Sequence, residues 1–132
     1  MNLPIYSALV GSSLMTLQLV LMLMVGFARS RHQVNLGDGG NEALLQAIRR
    51  HGNLTENAPL FLILLAMIEI ISGSGIAVAA LGGAFVVARV AHAIGLSQGS
   101  GPNAGRAVGA LGTLICGVGA AGYLAYLALG AG

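Results

Sequence analysis

The chain contains no lysine, no tryptophan and a single cysteine, and only 8% of its 132 residues are charged. Each shortage removes a class of protein. A soluble domain carries about 25% charged residues, whereas this chain is 56% hydrophobic with a mean hydropathy of +0.86, the composition of an integral membrane protein. The lone thiol, Cys116, can neither close an internal disulfide nor build a cysteine metal cluster, and its apolar surroundings suit a small buried hydrophobe. Six arginines against four acids leave a net charge of +2, too small and too dispersed for a nucleic-acid reader. No metal site is expected, because no second His or Cys stands at ligand spacing from His92. Gly37-Asp38-Gly39-Gly40 lacks the Lys and Ser/Thr of a phosphate loop, and no Ser-His-Asp pattern or internal repeat is readable.

What remains is apolar sequence in four stretches, predicting an all-α membrane protein, a four-transmembrane-helix bundle in one domain over residues 1–132. The first span is expected from Leu3 to Ala28. It is expected to be a retained span rather than a signal peptide, because its arginines, Arg29 and Arg31, follow the apolar core. Arg29 to Gly40 is a polar connection, and Asn41 is the expected N-cap of a helix from Glu42 to about Ile71. At about 1.5 Å per residue that helix is longer than a roughly 30 Å hydrocarbon core, so its first turns project from the bilayer. Pro59 is expected to interrupt its hydrogen-bond ladder. Ser72 to Gly75 turns the chain into a third span, Ile76 to Leu96, and Ser97 to Asn103 leads to a fourth, Ala104 to Leu129. Gly105 and Gly109 form a small-xxx-small pair that suits close helix contact or oligomerisation.

Five arginines, Arg29, Arg31, Arg49, Arg50 and Arg106, lie in or beside the first and third connections, and the second connection has none. The positive-inside rule then places both basic connections in the cytoplasm and both termini outside. Arginine without lysine suits bidentate recognition of carboxylates, although codon bias would produce the same composition.

Charges within greasy sequence are usually kept for function. At about 100° per residue, Gln46, Arg49, Asn53 and Glu56 fall on one narrow stripe of the second helix. The stripe offers a cation, an amide and a carboxylate to a small zwitterionic ligand. Its bland alternative is an interfacial face with a local Arg49–Glu56 ion pair. His51 and Glu69 point away from it, and Glu69 is expected to reach the interface or a neighbouring helix. Arg89 lies deep in the third span, where an unpaired Arg costs at least about 2.5–3.5 kcal/mol on insertion scales. Its expected partner is Glu56, with direct ligand contact as the other reading. His92 follows one turn later, as a packing residue or a ligand contact, and Arg106 opens the fourth span, as a charge anchor or a cation that lowers a thiol pKa.

The chain resembles the MAPEG family, the membrane-associated proteins in eicosanoid and glutathione metabolism, and within it the small bacterial branch. The likeness spans nearly the whole chain and is carried by the Gly-Asp-Gly-Gly connection, by Arg49, Asn53, Glu56 and Pro59, and by Ala88-Arg89-Val90-Ala91-His92. It implies a homotrimer in a bacterial inner membrane, with glutathione held between subunits at the cytoplasmic side. By motif, Arg49, Asn53 and Glu56 would contact glutathione, with Arg29, Arg89 and His92 as further contacts, and Arg106 would take the place of the thiolate-stabilising arginine. The implied activity is transferase- or peroxidase-like, on a lipophilic small molecule or lipid. Three departures stand out. Asn57 and Leu96 replace tyrosines of the family's synthases, and Gly52 replaces an arginine of one of them. These losses support binding more strongly than catalysis and favour one alternative, a non-catalytic lipid- or glutathione-binding scaffold; a separate alternative is a small proton-coupled transporter using Glu56, a class expected to carry its key acid in the first span, where this chain has none.

Overall fold

The computed structural model describes residues 2–99 and 101–130 and contains four helices: α1 (Ile5–His32), α2 (Glu42–Ser72), α3 (Gly75–Ser97) and α4 (Ala104–Gly130). Each is long and apolar enough to cross a bilayer, which makes this a multi-pass membrane protein. The expected spans agree with the helices to within a few residues at each end. The largest difference is at α1, which continues one turn past Ala28 to His32. Arg29, Arg31 and His32 sit in that last turn, where cations complement the helix dipole, and the helix stops at Gln33 in the left-handed region at φ 54°.

Asn41 caps α2 as expected, its side chain accepting from the Leu44 amide at 2.9 Å. The helix is continuous through Pro59 and ends at Gly73, whose φ of 66° favours glycine. Pro59, which has no N–H to donate, removes one bond of the ladder as expected without ending the helix.

The start of α1 has a more distant cap. Pro4 supplies no side-chain acceptor. Instead Glu69, near the far end of α2, accepts from the Tyr6 amide at 2.9 Å, the Ser7 amide at 2.8 Å and the Ser7 hydroxyl at 2.6 Å. Glu69 is only 3% exposed, so the neighbouring helix, not the interface, satisfies it.

Helix α3 is the centre of the bundle. It shares that place with α2: each of the two packs on the other three helices, whereas α1 and α4 do not touch among the described residues. Phe61 of α2 and Phe85 of α3 stack with centroids 3.9 Å apart and ring planes 8° apart, beside buried Leu65, Ile68 and Val78. In a bilayer such packing, rather than water exclusion, holds helices together. The closest approach is between α3 and α4. A Cβ at Gly105 would lie 2.9 Å from Gly95 Cα, and one at Gly109 would collide with His92. The Gly105/Gly109 pair is thus spent on α3 of the same chain.

Candidate functional site

With α1 on one side of α3 and α4 on the other, α2 and α4 leave a groove floored by α3. The end of the bundle that carries the α1–α2 and α3–α4 connections holds most of the arginines and is termed the basic end.

At that end Asn103 joins two helices. Its Nδ2 donates to Gly95 O at 2.7 Å, satisfying a terminal carbonyl of α3, and its Oδ1 accepts from the Arg106 amide at 3.0 Å, capping α4. This sets the position of Arg106, whose Nη1 also donates to Gly101 O at 3.0 Å. Arg106 and His92 line a cavity of about 430 Å³ with Pro102 and Asn103. His92 belongs also to the next chamber, about 240 Å³, with Asn53, Asn57, Arg89 and Thr113.

Arg89 dominates that chamber. It is 3% exposed, and its guanidinium donates to Asn53 Oδ1 and, at 3.1 Å, to Gly109 O. Its Nε has no hydrogen-bond partner among the described residues, and its Cζ lies 5.9 Å from the Phe85 ring centroid. The expected Arg89–Glu56 pair is not formed. Glu56 Oε1 instead lies 3.5 Å from Arg49 Nη1, in a pair whose two side chains are more than half exposed. The reason is register: Asn53 is one turn nearer the basic end than Glu56 and stands opposite Arg89, while Glu56 faces the rim. Arg89 therefore meets neutral oxygens. A buried cation with neutral partners keeps much of its desolvation cost and suits an anion brought by a ligand.

Beyond the chamber the groove becomes an apolar slot of about 430 Å³. Asn57, Thr113 and Leu114 line both spaces, Phe61 and Phe85 line the slot alone, and Glu56 stands at its edge. The groove thus runs from cationic to polar to apolar along one helix interface. Small-molecule sites combine these features, an apolar cavity with a few convergent polar groups.

The structure brings Asn53, Arg89, His92 and Arg106 to adjoining cavities and Glu56 to the slot, with Arg49 joined through Glu56. It does not bring Arg29 to them within one chain. Arg29 Nη1 donates to Gly37 O at 2.8 Å and Val34 O at 3.4 Å, bracing the α1–α2 connection. His51 points away from the stripe, as expected, and there it faces α1 and meets Gln18 at 2.7 Å. Thr55 Oγ1 donates to His51 O at 3.0 Å, so it must accept from Gln18 Nε2 at 2.6 Å.

Two residues of the groove lie outside the site expected from the sequence. Asn57 reads as a lost tyrosine and Thr113 as one hydroxyl in an apolar run. Both use their donors on the helix behind them, Asn57 Nδ2 to Asn53 O at 2.7 Å and Thr113 Oγ1 to Gly109 O at 2.7 Å, and both form the neck between chamber and slot. Helical angle within each element would have pointed to Asn57, but nothing in α4 alone marks Thr113.

No curated protein sequence matches the chain. A family model, however, matches residues 7–126, so all four spans apart from the outermost residues of the first and fourth, the Arg49–Asn53–Glu56 stripe and the whole groove lie inside the matched region. The chain belongs to the MAPEG family, whose members act at membranes in glutathione and eicosanoid metabolism.

Proposed function

We propose that this protein binds glutathione at the α2–α4 groove and joins it, through its thiolate sulfur, to lipophilic electrophiles. The observation that carries this reading is the buried Arg89, held by neutral oxygens beside a polar chamber that opens into an apolar slot. Glutathione brings carboxylates, an amine and a thiol. The chamber's donors fit the anionic groups, and the exposed Arg49–Glu56 pair at the rim fits one carboxylate and the α-amino group. Arg106, anchored by Asn103, supplies a second cation near His92 that favours the thiolate over the thiol. With an aryl halide, the thiolate sulfur bonds to the ring carbon and the halide leaves with the bonding pair. The thiol proton goes to water. Fixing both reactants in one groove lowers the entropic part of the barrier.

The setting in this reading is a bacterial inner membrane, with the basic end in the cytoplasm and three copies forming the working unit. In this reading Arg29, which braces its own α1–α2 connection, serves a neighbour's groove. The test is a glutathione titration of the purified protein in detergent, followed by turnover with an aryl halide or a lipid hydroperoxide. Arg49→Ala and Glu56→Gln are expected to weaken binding, and Arg106→Ala to lower turnover by about a hundredfold, as when one charge-stabilising donor is removed elsewhere. Full activity in Arg106→Ala would remove that residue from the mechanism.

A second reading, binding without catalysis, is favoured by one feature. Asn57 is tied to Asn53 O and Leu96 is buried, so neither position presents a hydroxyl to a thiol. Glutathione affinity without turnover across a broad panel of electrophiles would support it.

A further inference from the structure

His92 stands where the two basic-end cavities meet. It lines both the Arg106 cavity and the Arg89 chamber, a place it shares with Ala110. A glycine builds its seat. A Cβ at Gly109 would overlap the backbone and Cβ of His92, so α4 closes directly on this residue and fixes the base of its ring. The other two histidines have polar partners, His32 with Asn41 and His51 with Gln18. The His92 ring nitrogens have no hydrogen-bond partner among the described residues. Packing therefore holds the ring in place and leaves its nitrogens free.

The remaining groups of the two cavities cannot take up a proton at neutral pH. Arg89 and Arg106 are permanently charged, the asparagine amides and the Thr113 hydroxyl are not basic, and no carboxylate lines either cavity. Glu56 stands at the slot and pairs with Arg49. Imidazole is the side chain that exchanges a proton near neutral pH.

We infer that His92 is the base that takes the glutathione thiol proton, and that the bound ligand itself enables it. The inference rests on the thiol lying beside Arg106, the position assigned to it above. Two guanidiniums face the ring, Arg89 one turn away on α3 and Arg106 on α4, and both oppose a third positive charge. A ligand carboxylate on Arg89 removes one opposition, and a thiolate beside Arg106 removes the other. The S–H bond breaks, its proton moves to a free ring nitrogen, and the electron pair stays on sulfur. The imidazolium lasts as long as the thiolate. When sulfur bonds to the electrophile, that negative charge is lost and the ring again faces an uncompensated Arg106. The proton then leaves to water through the Arg106 cavity, whose Pro102 and Ala107 are exposed at the basic end.

The experiment counts protons. Glutathione is titrated by calorimetry into the purified protein in detergent at neutral pH, in two buffers of different ionisation enthalpy, and thiolate is followed by its ultraviolet absorbance. S-methylglutathione, which has no thiol proton, supplies the baseline for protons moved by binding alone. The parent protein is expected to form thiolate without matching proton release, and to release the proton when an aryl halide is added. His92→Gln keeps a polar side chain of similar reach but no base. Its thiolate formation in stopped flow should slow by about a hundredfold, the scale of general-base catalysis. Each thiolate it does form should send a proton to the buffer, and S-methylglutathione should bind it as it binds the parent. Should the variant lose that binding, the parent's proton count still decides.

A proton released with each thiolate in the parent, bound glutathione that stays a thiol, or a Gln variant as fast as the parent overturns the inference and leaves the binding site standing. Failure of S-methylglutathione to bind the parent overturns the thiol-site reading, and this inference with it.

Discussion

Arg89 of α3 donates to the Oδ1 of Asn53 on α2, and the same guanidinium donates to Gly109 O on α4, so one side chain ties three helices around the chamber. Because Arg89 occupies Oδ1, the amide nitrogen of Asn53 is turned away from it. Asn53 then presents donors rather than an acceptor to whatever shares the chamber. Both groups consequently favour an anionic ligand.

This pair makes a two-sided prediction. Asn53→Asp gives Arg89 a carboxylate partner and neutralises the chamber. The fold should be unchanged or more resistant to heat, because a charged acceptor strengthens the bond. Glutathione affinity should fall by about tenfold or more, since a like charge now meets the ligand's anion. Calorimetry and thermal unfolding on one preparation check both signs, and a variant that binds as tightly as the parent would refute the anionic character assigned to the chamber.

The glycines of the helix interfaces separate into two kinds. Gly109→Ala pushes a methyl into His92, moves α4 from α3 and stretches the Arg89 bond to Gly109 O, and should cost about 1–3 kcal/mol. Gly52→Ala lies under the Arg49–Glu56 pair, where a Cβ would make ordinary contact at 3.7 Å with Glu56 Oε1. It should be neutral or stabilise α2 by about 0.5–1 kcal/mol through helix propensity. Thermal unfolding of the two variants should move in opposite directions or leave Gly52→Ala unmoved.

Glu69 predicts a third effect. Both carboxylate oxygens accept, and together they serve two amides and one hydroxyl of α1. Glu69→Gln replaces one oxygen with an NH₂ that faces a donor, leaving a buried group unsatisfied at a cost of about 1–3 kcal/mol. Hydrogen exchange at the Tyr6 and Ser7 amides should accelerate while that of α3 is unchanged. Uniform acceleration across the chain would instead mean global destabilisation, and none at all would mean that the cap contributes nothing.

The individual helices and the polar stripe of α2 were legible because each depends on residues within one segment. Asn41 as a cap, the turn at Gly73 and the Gln46–Arg49–Asn53–Glu56 arc follow from local spacing. The partner of Arg89 did not, because Asn53 and Glu56 differ by about one turn, roughly 5 Å along the helix. Only the docking of α3 on α2, keyed by the Phe61–Phe85 stack, selects between them. Gly105 and Gly109 show the same limit: their spacing marks a close contact without saying with which helix. Thr113 gains meaning solely from the cavities it lines.

Amino-acid order was enough to place this chain in a bilayer as four helices. Transfer free energy is a sum over some twenty residues of a span and is insensitive to what lies beside it. The groove is a property of the assembled bundle. Which oxygen meets the Arg89 guanidinium, and which glycine faces a helix or an opening, depends on contacts that fail within an ångström, and helix register sets those distances.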